Sequence, residues 1–309
     1  MSDPQTVTPE AIPPDPPRGG TRFVKLLAVG LLFILMAALR PDPIRAAWAE
    51  IERIIQLKST PLPASPSRLS DHELEELNNM QPQQQANLLL ERAINHYEGA
   101  IEQIESRVPR WYGQLEVEKG HLAGLLNTAI NANDLRVRAA SLEITLAGYN
   151  LPKTPESVEK LLVRLQDEPE HRAWLLWILG VLGNRGVETA RLETVFLDRI
   201  HDPDQATRAY AIVGLGLLAT DSAIAPLLGA FHDDPSPHIR EGAACALAQS
   251  GMFKQEQRMT AVSGILRFTD DPTLDPTTRS WAFQALRDIT GQSFGSDPAA
   301  WRSWWASHI

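Results

Sequence analysis

The sequence predicts an all-α fold: a right-handed α-solenoid of about five helical hairpins, preceded by a helical pair and an N-terminal transmembrane helix. Three observations predict it. One arginine recurs in the same helical context along the C-terminal half. Apolar residues fall at helical spacing over most of the chain. One apolar run near the N-terminus is long enough to enter a bilayer.

Residues 1–22 form a Pro-rich tail (Pro4, Pro9, Pro13, Pro14, Pro16, Pro17) ending in Gly19-Gly20. Proline fixes φ and removes donors, so this tail is expected to be extended and disordered. The predicted transmembrane helix covers 23–40. Its apolar run, FVKLLAVGLLFILMAAL over 23–39, holds one charge, Lys25. Seventeen helical residues reach about 25 Å, slightly short of a hydrocarbon core of about 30 Å, and Lys25 can snorkel to the headgroups. A cleaved signal peptide competes with the anchor, but the run is long for an h-region. Arg40-Pro41-Asp42-Pro43 follows where a small-x-small cleavage site would stand. Arginines and lysines flank both ends evenly, so charge leaves the orientation open; the expected arrangement puts the short tail inside and the long domain outside the cytoplasm.

Residues 41–68 combine a juxtamembrane helix with a linker. Ile44, Trp48, Ile51 and Ile55 lie at helical spacing, either on the headgroups or as a continuation of the anchor, and PLPASPSR (61–68) is a stiff spacer. Residues 69–112 read as a helical pair. Ser70 and Glu73 have capping-box spacing, and Pro82 fits the first turn of the second helix. In that second helix Leu90, Ile94, Tyr97, Ile101, Ile104 and Val108 are spaced 4, 3, 4, 3, 4. This heptad seam allows self-association through residues 90–108; packing on a neighbouring helix or on the following domain is the favoured reading.

The repeat array spans 113–292. Its arginines are Arg138, Arg172, Arg208, Arg240 and Arg279, spaced 34, 36, 32 and 39. Four have an acid four residues earlier (Asp134, Glu168, Asp204, Asp275), and the fifth has Ser236. Three residues after each comes Ser141, Leu175, Ala211, Ala243 or Ala282; seven after comes Thr145, Leu179, Leu215, Leu247 or Leu286. A cap, an arginine, then apolar residues every three or four describe an amphipathic helix. A second amphipathic segment follows every such helix but the last, and 114–132 supplies a helix before the first. A two-helix unit cannot bury its apolar face alone, so the units must stack.

These registered positions resemble the HEAT repeat family, in particular the short HEAT-like repeats also found in phycobilisome lyases, over about 133–291. The resemblance implies protein–protein binding as the main role and hydrogen-bond ladders between repeats through the arginines and acids. Arginines used as anion ligands are the lesser alternative. The C-terminal piece, 293–309, is a Trp-rich capping helix: Ser296 and Asp297 precede Pro298, and Trp301, Trp304 and Trp305 share one face. It is similar to an FG-x-DP-x-x-W-x-x-WW ending of some bacterial HEAT proteins.

Composition narrows the function. The net charge of −9 disfavours a nucleic-acid binder, although some HEAT-like solenoids are DNA glycosylases. The single cysteine, Cys245, excludes an intramolecular disulfide and a multi-cysteine zinc site, and its small-residue helix (GAACALA) reads as packing. His232, Asp233, Asp234 and His238 resemble a metal cluster. However, the same turn recurs at His201-Asp202-Pro203-Asp204 and at Asp270-Asp271-Pro272, which marks it as a repeat junction. Gly214 and Gly216 lack the strand that a dinucleotide site needs and read as close helix contacts. Trp174 and Trp177 line either a groove or its edge. No catalytic, cofactor or metal residue is assigned. The expected protein is therefore a scaffold at the bacterial inner membrane, anchored through 23–39, its C-terminal domain periplasmic, with protein partners and no enzymatic role. A bilin-lyase-like or chromophore-binding protein is the alternative by resemblance.

Overall fold

The computed structural model describes residues 67–308. The expected tail (1–22), transmembrane helix (23–40) and nearly all of the juxtamembrane segment (41–68) lie outside the described residues. Among those described, no helix is long and apolar enough to cross a membrane. They form fourteen α-helices and no strand.

Three helices come first: α1 (Asp71–Asn79), α2 (Pro82–Ile94) and α3 (Ala100–Trp111). The capping box at α1 is present: Ser70 Oγ accepts from Glu73 N–H at 3.2 Å, and Glu73 Oε2 accepts from Ser70 N–H at 3.0 Å. The expected continuous helix across 90–108 is two helices, so the predicted pair is a trio. His96 (φ 58°) and Gly99 (φ 84°) adopt left-handed backbone in the intervening turn and reverse the chain. The 4-3-4-3-4 spacing runs through this reversal, so it never forms one coiled-coil seam. Leu90, Ile104 and Val108 are buried inside the protein, and Ile94, Tyr97 and Ile101 pack against the same core.

Five hairpins follow: α4 (Gly120–Ile130) with α5 (Leu135–Gly148), α6 (Pro155–Asp167) with α7 (Arg172–Asn184), α8 (Thr189–Arg199) with α9 (Gln205–Leu218), α10 (Ile224–Asp233) with α11 (Pro237–Cys245), and α12 (Gln255–Phe268) with α13 (Pro276–Thr290). The recurring arginines occupy the second helix of each. The helix following an arginine helix in the chain belongs to the next hairpin, because the short Asp- and Pro-containing turns fold each arginine helix back on the helix before it. Every residue three after an arginine is buried, as are those seven after it.

The arginine helices form one layer. From α7 to α13 they pack on one another successively, more closely than α6, α8 and α10 pack among themselves, so the stack bends toward the arginine-helix side. Glycine permits the closest step. A Cβ on Gly180 would lie 3.1 Å from Gly214 Cα in the neighbouring helix, and one on Gly214 would lie 2.5 Å from the Phe196 ring.

Helix α5 is the wall between two cores. Val137, Ala140, Ile144 and Ala147 join the core of α1–α4, which also holds Trp111, while Leu142 and Leu146 join the core of the remaining hairpins. This explains why α5 is buried along nearly its whole length. Glu143, buried on α5, accepts from Lys153 Nζ (2.9 Å) and Arg185 Nε (2.8 Å), linking the first hairpin to the second. The last helix, α14 (Pro298–Ala306), packs on α12. Asp297 caps it through Ala299 N–H and Ala300 N–H. Trp301 is fully buried in the hairpin core, edge-on to Phe294 at 5.0 Å, with its indole N–H donating to Gly295 O. Trp304 and Trp305 cover that end only partly.

Candidate interaction surface

The surface is held in place by a ladder between hairpins. Arg208 donates from Nε and Nη2 to the two carboxylate oxygens of Asp234 (2.8 and 3.2 Å) and from Nη1 to Asp202 O (2.9 Å). Arg240 donates to Asp234 O (2.7 Å), to Thr278 Oγ1 (2.9 Å) and to Asp275 Oδ2 (2.8 Å). Arg172 reaches Thr207 Oγ1 at 3.5 Å, beside Asp204. Arg279 closes the series on its own turn, through Leu274 O and Asp271 O. Arg208, Arg240 and Arg279 thus brace their own turns, and Arg172, Arg208 and Arg240 also reach the cap of the next hairpin. Arg208 and Asp234 are both buried, and the carboxylate raises the arginine's pKa above its usual value. Asp275 is pulled down to about 2, first by the Thr278 hydroxyl and backbone amide, then by Arg240.

Two of the expected caps differ. Ser236 makes no side-chain cap bond; Asp234, two residues earlier, accepts from Ser236 N–H at 2.8 Å while holding Arg208. Glu168 pairs with Arg164 (2.8 Å) instead of capping α7, because a 3₁₀ turn at Pro169–His171 displaces it. The sequence carried a signal for Asp234: the Asp-Asp-Pro turn noted as a repeat junction places it six residues before Arg240.

With positions 0, 3, 4 and 7 of the arginine helices from α7 to α13 turned inward, positions 2 and 5 lie on the solvent side; on α5 both are buried. They read Trp174 and Trp177 on α7, Tyr210 and Val213 on α9, Gly242 and Cys245 on α11, and Trp281 and Gln284 on α13. Tyr210 and Val213, at 36% and 40% exposure, are among the few large apolar side chains of the described residues left open to water. Trp174 is shielded by the Arg164 guanidinium (5.5 Å) and edge-on by Tyr149 (5.3 Å). Trp177 lines a cleft of about 300 Å³ with Val117, Leu126, Tyr149 and others. An apolar, aromatic stripe thus runs along the layer toward which the stack bends. Cys245 belongs to this stripe and is exposed, contrary to the packing expectation. Partial burial of its sulfur, with Glu241 and Asp288 nearby, raises its pKa, which disfavours the nucleophilic thiolate.

The His232 turn is a hairpin junction. His232 Nδ1 meets Asp233 Oδ1 at 2.6 Å and Nε2 meets Asp271 Oδ2 of the next hairpin at 3.1 Å. Among the described residues no group of three or more His, Cys, Asp or Glu side chains is arranged to hold a metal ion. A groove of about 710 Å³ lies beside this junction, between Leu197, Ile200 and Pro203 on one side and Pro226, Ala230 and Pro235 on the other.

Fold and ladder together define a stacked-hairpin architecture, an α-solenoid. Residues 193–287, from within α8 to within α13, match the family model for HEAT repeats. No curated protein matches the chain. The same arginine register continues outside the matched stretch, at Arg138 and Arg172.

Proposed function

We propose that the protein is a non-enzymatic scaffold that binds protein partners along the aromatic stripe of its arginine-helix layer. The observation that carries this reading is the stripe itself: Trp177 and Val213 stand five residues, and Tyr210 and Trp281 two residues, after the arginines of α7, α9 and α13, on helices whose spacing the ladder fixes. A partner meeting such a row gains apolar contact at several points without ordering the scaffold first. HEAT repeats commonly serve this role, which supports the reading. In this proposal residues 23–39 tether the stack to the bacterial inner membrane, with the solenoid on the periplasmic side. The bilin-lyase alternative needs a placed acid or thiolate in an apolar groove, and the raised thiol pKa of Cys245 speaks against it. A nucleic-acid role is not favoured, given the overall acidity of the chain.

The test is site-specific photo-crosslinking in native membranes. A benzophenone side chain at Tyr210 is expected to capture a heterologous protein, and the same group at Thr194, exposed on the other layer, is not. Capture of nothing, or equal capture at both positions, overturns the assignment of the stripe. Cleavage of a C-terminal tag by external protease in spheroplasts, but not in intact cells, is expected for the periplasmic arrangement.

A further inference from the structure

Four of the five repeat arginines sit within the ladder or close it; Arg138 points elsewhere. Its Nε donates to Ala132 O in its own turn, as the register requires. Its Nη1 then crosses to the far side of the stack and donates to Gln249 O (2.7 Å) and Gly251 O (3.1 Å). Those carbonyls lie where α11 ends in a single π-helical turn, Ala246–Ser250. A second arginine, Arg258 on α12, converges on the same atoms: Nη2 donates to Gln249 O (3.0 Å) and Gly251 O (2.8 Å), Nε to Phe253 O (3.0 Å), and Nη1 to Ala248 O. Two guanidinium groups thus share one pair of carbonyl oxygens, and neither has a carboxylate partner within ion-pair distance among the described residues.

Arg138 is 95% buried, since only 5% of it is exposed. Its Nη2 makes no hydrogen bond among the described residues, and Arg138 lines a cleft of about 630 Å³. The rest of the lining is mainly polar: Asn133 and Ser250 carry donors, Asn131 and Gln255 already donate to Asn127 O and Ile289 O, and Phe253 forms an apolar flank. Asp288 stands at the edge, its carboxylate engaged by Gln249 Nε2 at 2.7 Å. The negative end of the α11 dipole amounts to roughly half a charge, which leaves most of two positive charges uncompensated. Burial and the neighbouring Arg138 accordingly lower the Arg258 pKa to about 10. An anion in the cleft would compensate the two like charges, and the guanidinium fork matches phosphate or carboxylate oxygens.

We propose that the cleft between the first hairpin and the α11–α12 junction binds a small organic oxyanion, its phosphate or carboxylate group held between Arg138 and Arg258. The volume suits a metabolite-sized ligand with its remainder against Phe253 and the amide side chains. None of the residues that line this cleft belongs to the aromatic stripe.

Titration calorimetry of the full-length chain tests it, with inorganic phosphate and citrate as separate probes against sodium chloride at matched ionic strength. One saturable site is expected for at least one probe; phosphate alone marks a phosphoryl ligand, citrate alone a carboxylate one. Thermal unfolding is expected to shift upward by about 3–5 °C at tenfold the dissociation constant. Arg258→Gln is expected to weaken binding at least tenfold, and Arg258→Lys less. No saturable heat with the wild-type chain at millimolar probe, or equal binding by wild type and Arg258→Gln, overturns the proposal and leaves the two arginines as a staple for the carbonyls of the π-helical turn. The wild-type measurement stands even if a variant fails to fold.

Discussion

The α1–α5 lobe and the α8–α13 stack are both layers of helices, yet they are held by different means. The lobe is an aperiodic core. Trp111 is fully buried there with its indole N–H on Gln85 Oε1 at 2.9 Å, and Leu77, Leu89, Leu90 and Ile104 fill the space around it. The stack is periodic. Small residues bring its helices together, and a charged ladder sets their register. A lobe of the first kind tolerates variation wherever volume is conserved, whereas a ladder fails at single atoms. The comparison predicts that equally buried residues in the two regions differ in what can replace them.

The largest effect is expected at the buried rung. Asp234→Ala leaves the Arg208 guanidinium buried without its carboxylate and removes the acceptor for Ser236 N–H. Breaking one partner of a buried pair costs about 3–5 kcal/mol. Chemical denaturation of the variant is expected to show that loss. The double variant Arg208→Met/Asp234→Ala, which removes the buried charge, is expected to recover a good part of it. A loss under about 1 kcal/mol for Asp234→Ala would make the ladder incidental to the stack. In the lobe, Leu90→Met is expected to cost less than about 1.5 kcal/mol, because volume is all that site requires.

The same difference explains what the sequence disclosed. Registered arginines, caps and small residues predicted the helices from α5 to α13 and the inward face of each, because every hairpin solves the same packing problem with the same residue types. Residues 69–112 solve theirs once. There the spacing from Leu90 to Val108 imitated one helix, and the reversal at His96 and Gly99 was legible only as an Asn-His-Tyr-Glu-Gly turn inside an apolar period. The aromatic stripe was half visible, in Trp174 and Trp177. Its continuation through Tyr210 and Val213 required knowing which face the arginines bury. The two-arginine cleft was not legible at all, because Arg138 and Arg258 are 120 residues apart and meet only when the stack bends.

A middle-sized effect is expected where the stack is closest. In an exposed helix Gly→Ala stabilises by up to about 1 kcal/mol. At Gly214 the added Cβ would stand 2.5 Å from Phe196, and Gly180 faces it from α7. Gly214→Ala is therefore expected to destabilise by about 1–3 kcal/mol net, whereas Gly229→Ala, with open space around its Cβ, is expected to be neutral or stabilising. Equal thermal shifts for the two variants would remove close glycine packing from the account of why the stack bends.

The smallest effect separates the partly exposed rungs from the buried one. Burial of His232 opposes its protonation, but the hydrogen bonds to Asp233 and Asp271 outweigh it, so its pKa is raised above 6.5. The folded protein thus holds this proton more tightly than the unfolded chain. The resulting stabilisation is complete below a pH of about 6.5 and disappears as pH rises through the raised value. Asp271, held at about 2 first by the Thr273 hydroxyl and amide and then by His232, titrates far below this window and stays charged throughout. The melting temperature is therefore expected to fall by about 1–2 °C between roughly pH 6 and pH 8 through this contact, since half-exposed pairs contribute little. Asp271→Asn is expected to flatten that part of the profile, while Arg302→Ala, which breaks the exposed pair with Asp270, is expected to leave it in place. If the slope survives in Asp271→Asn, the His232 junction does not couple the fourth hairpin to the fifth, and the ladder ends at Arg240.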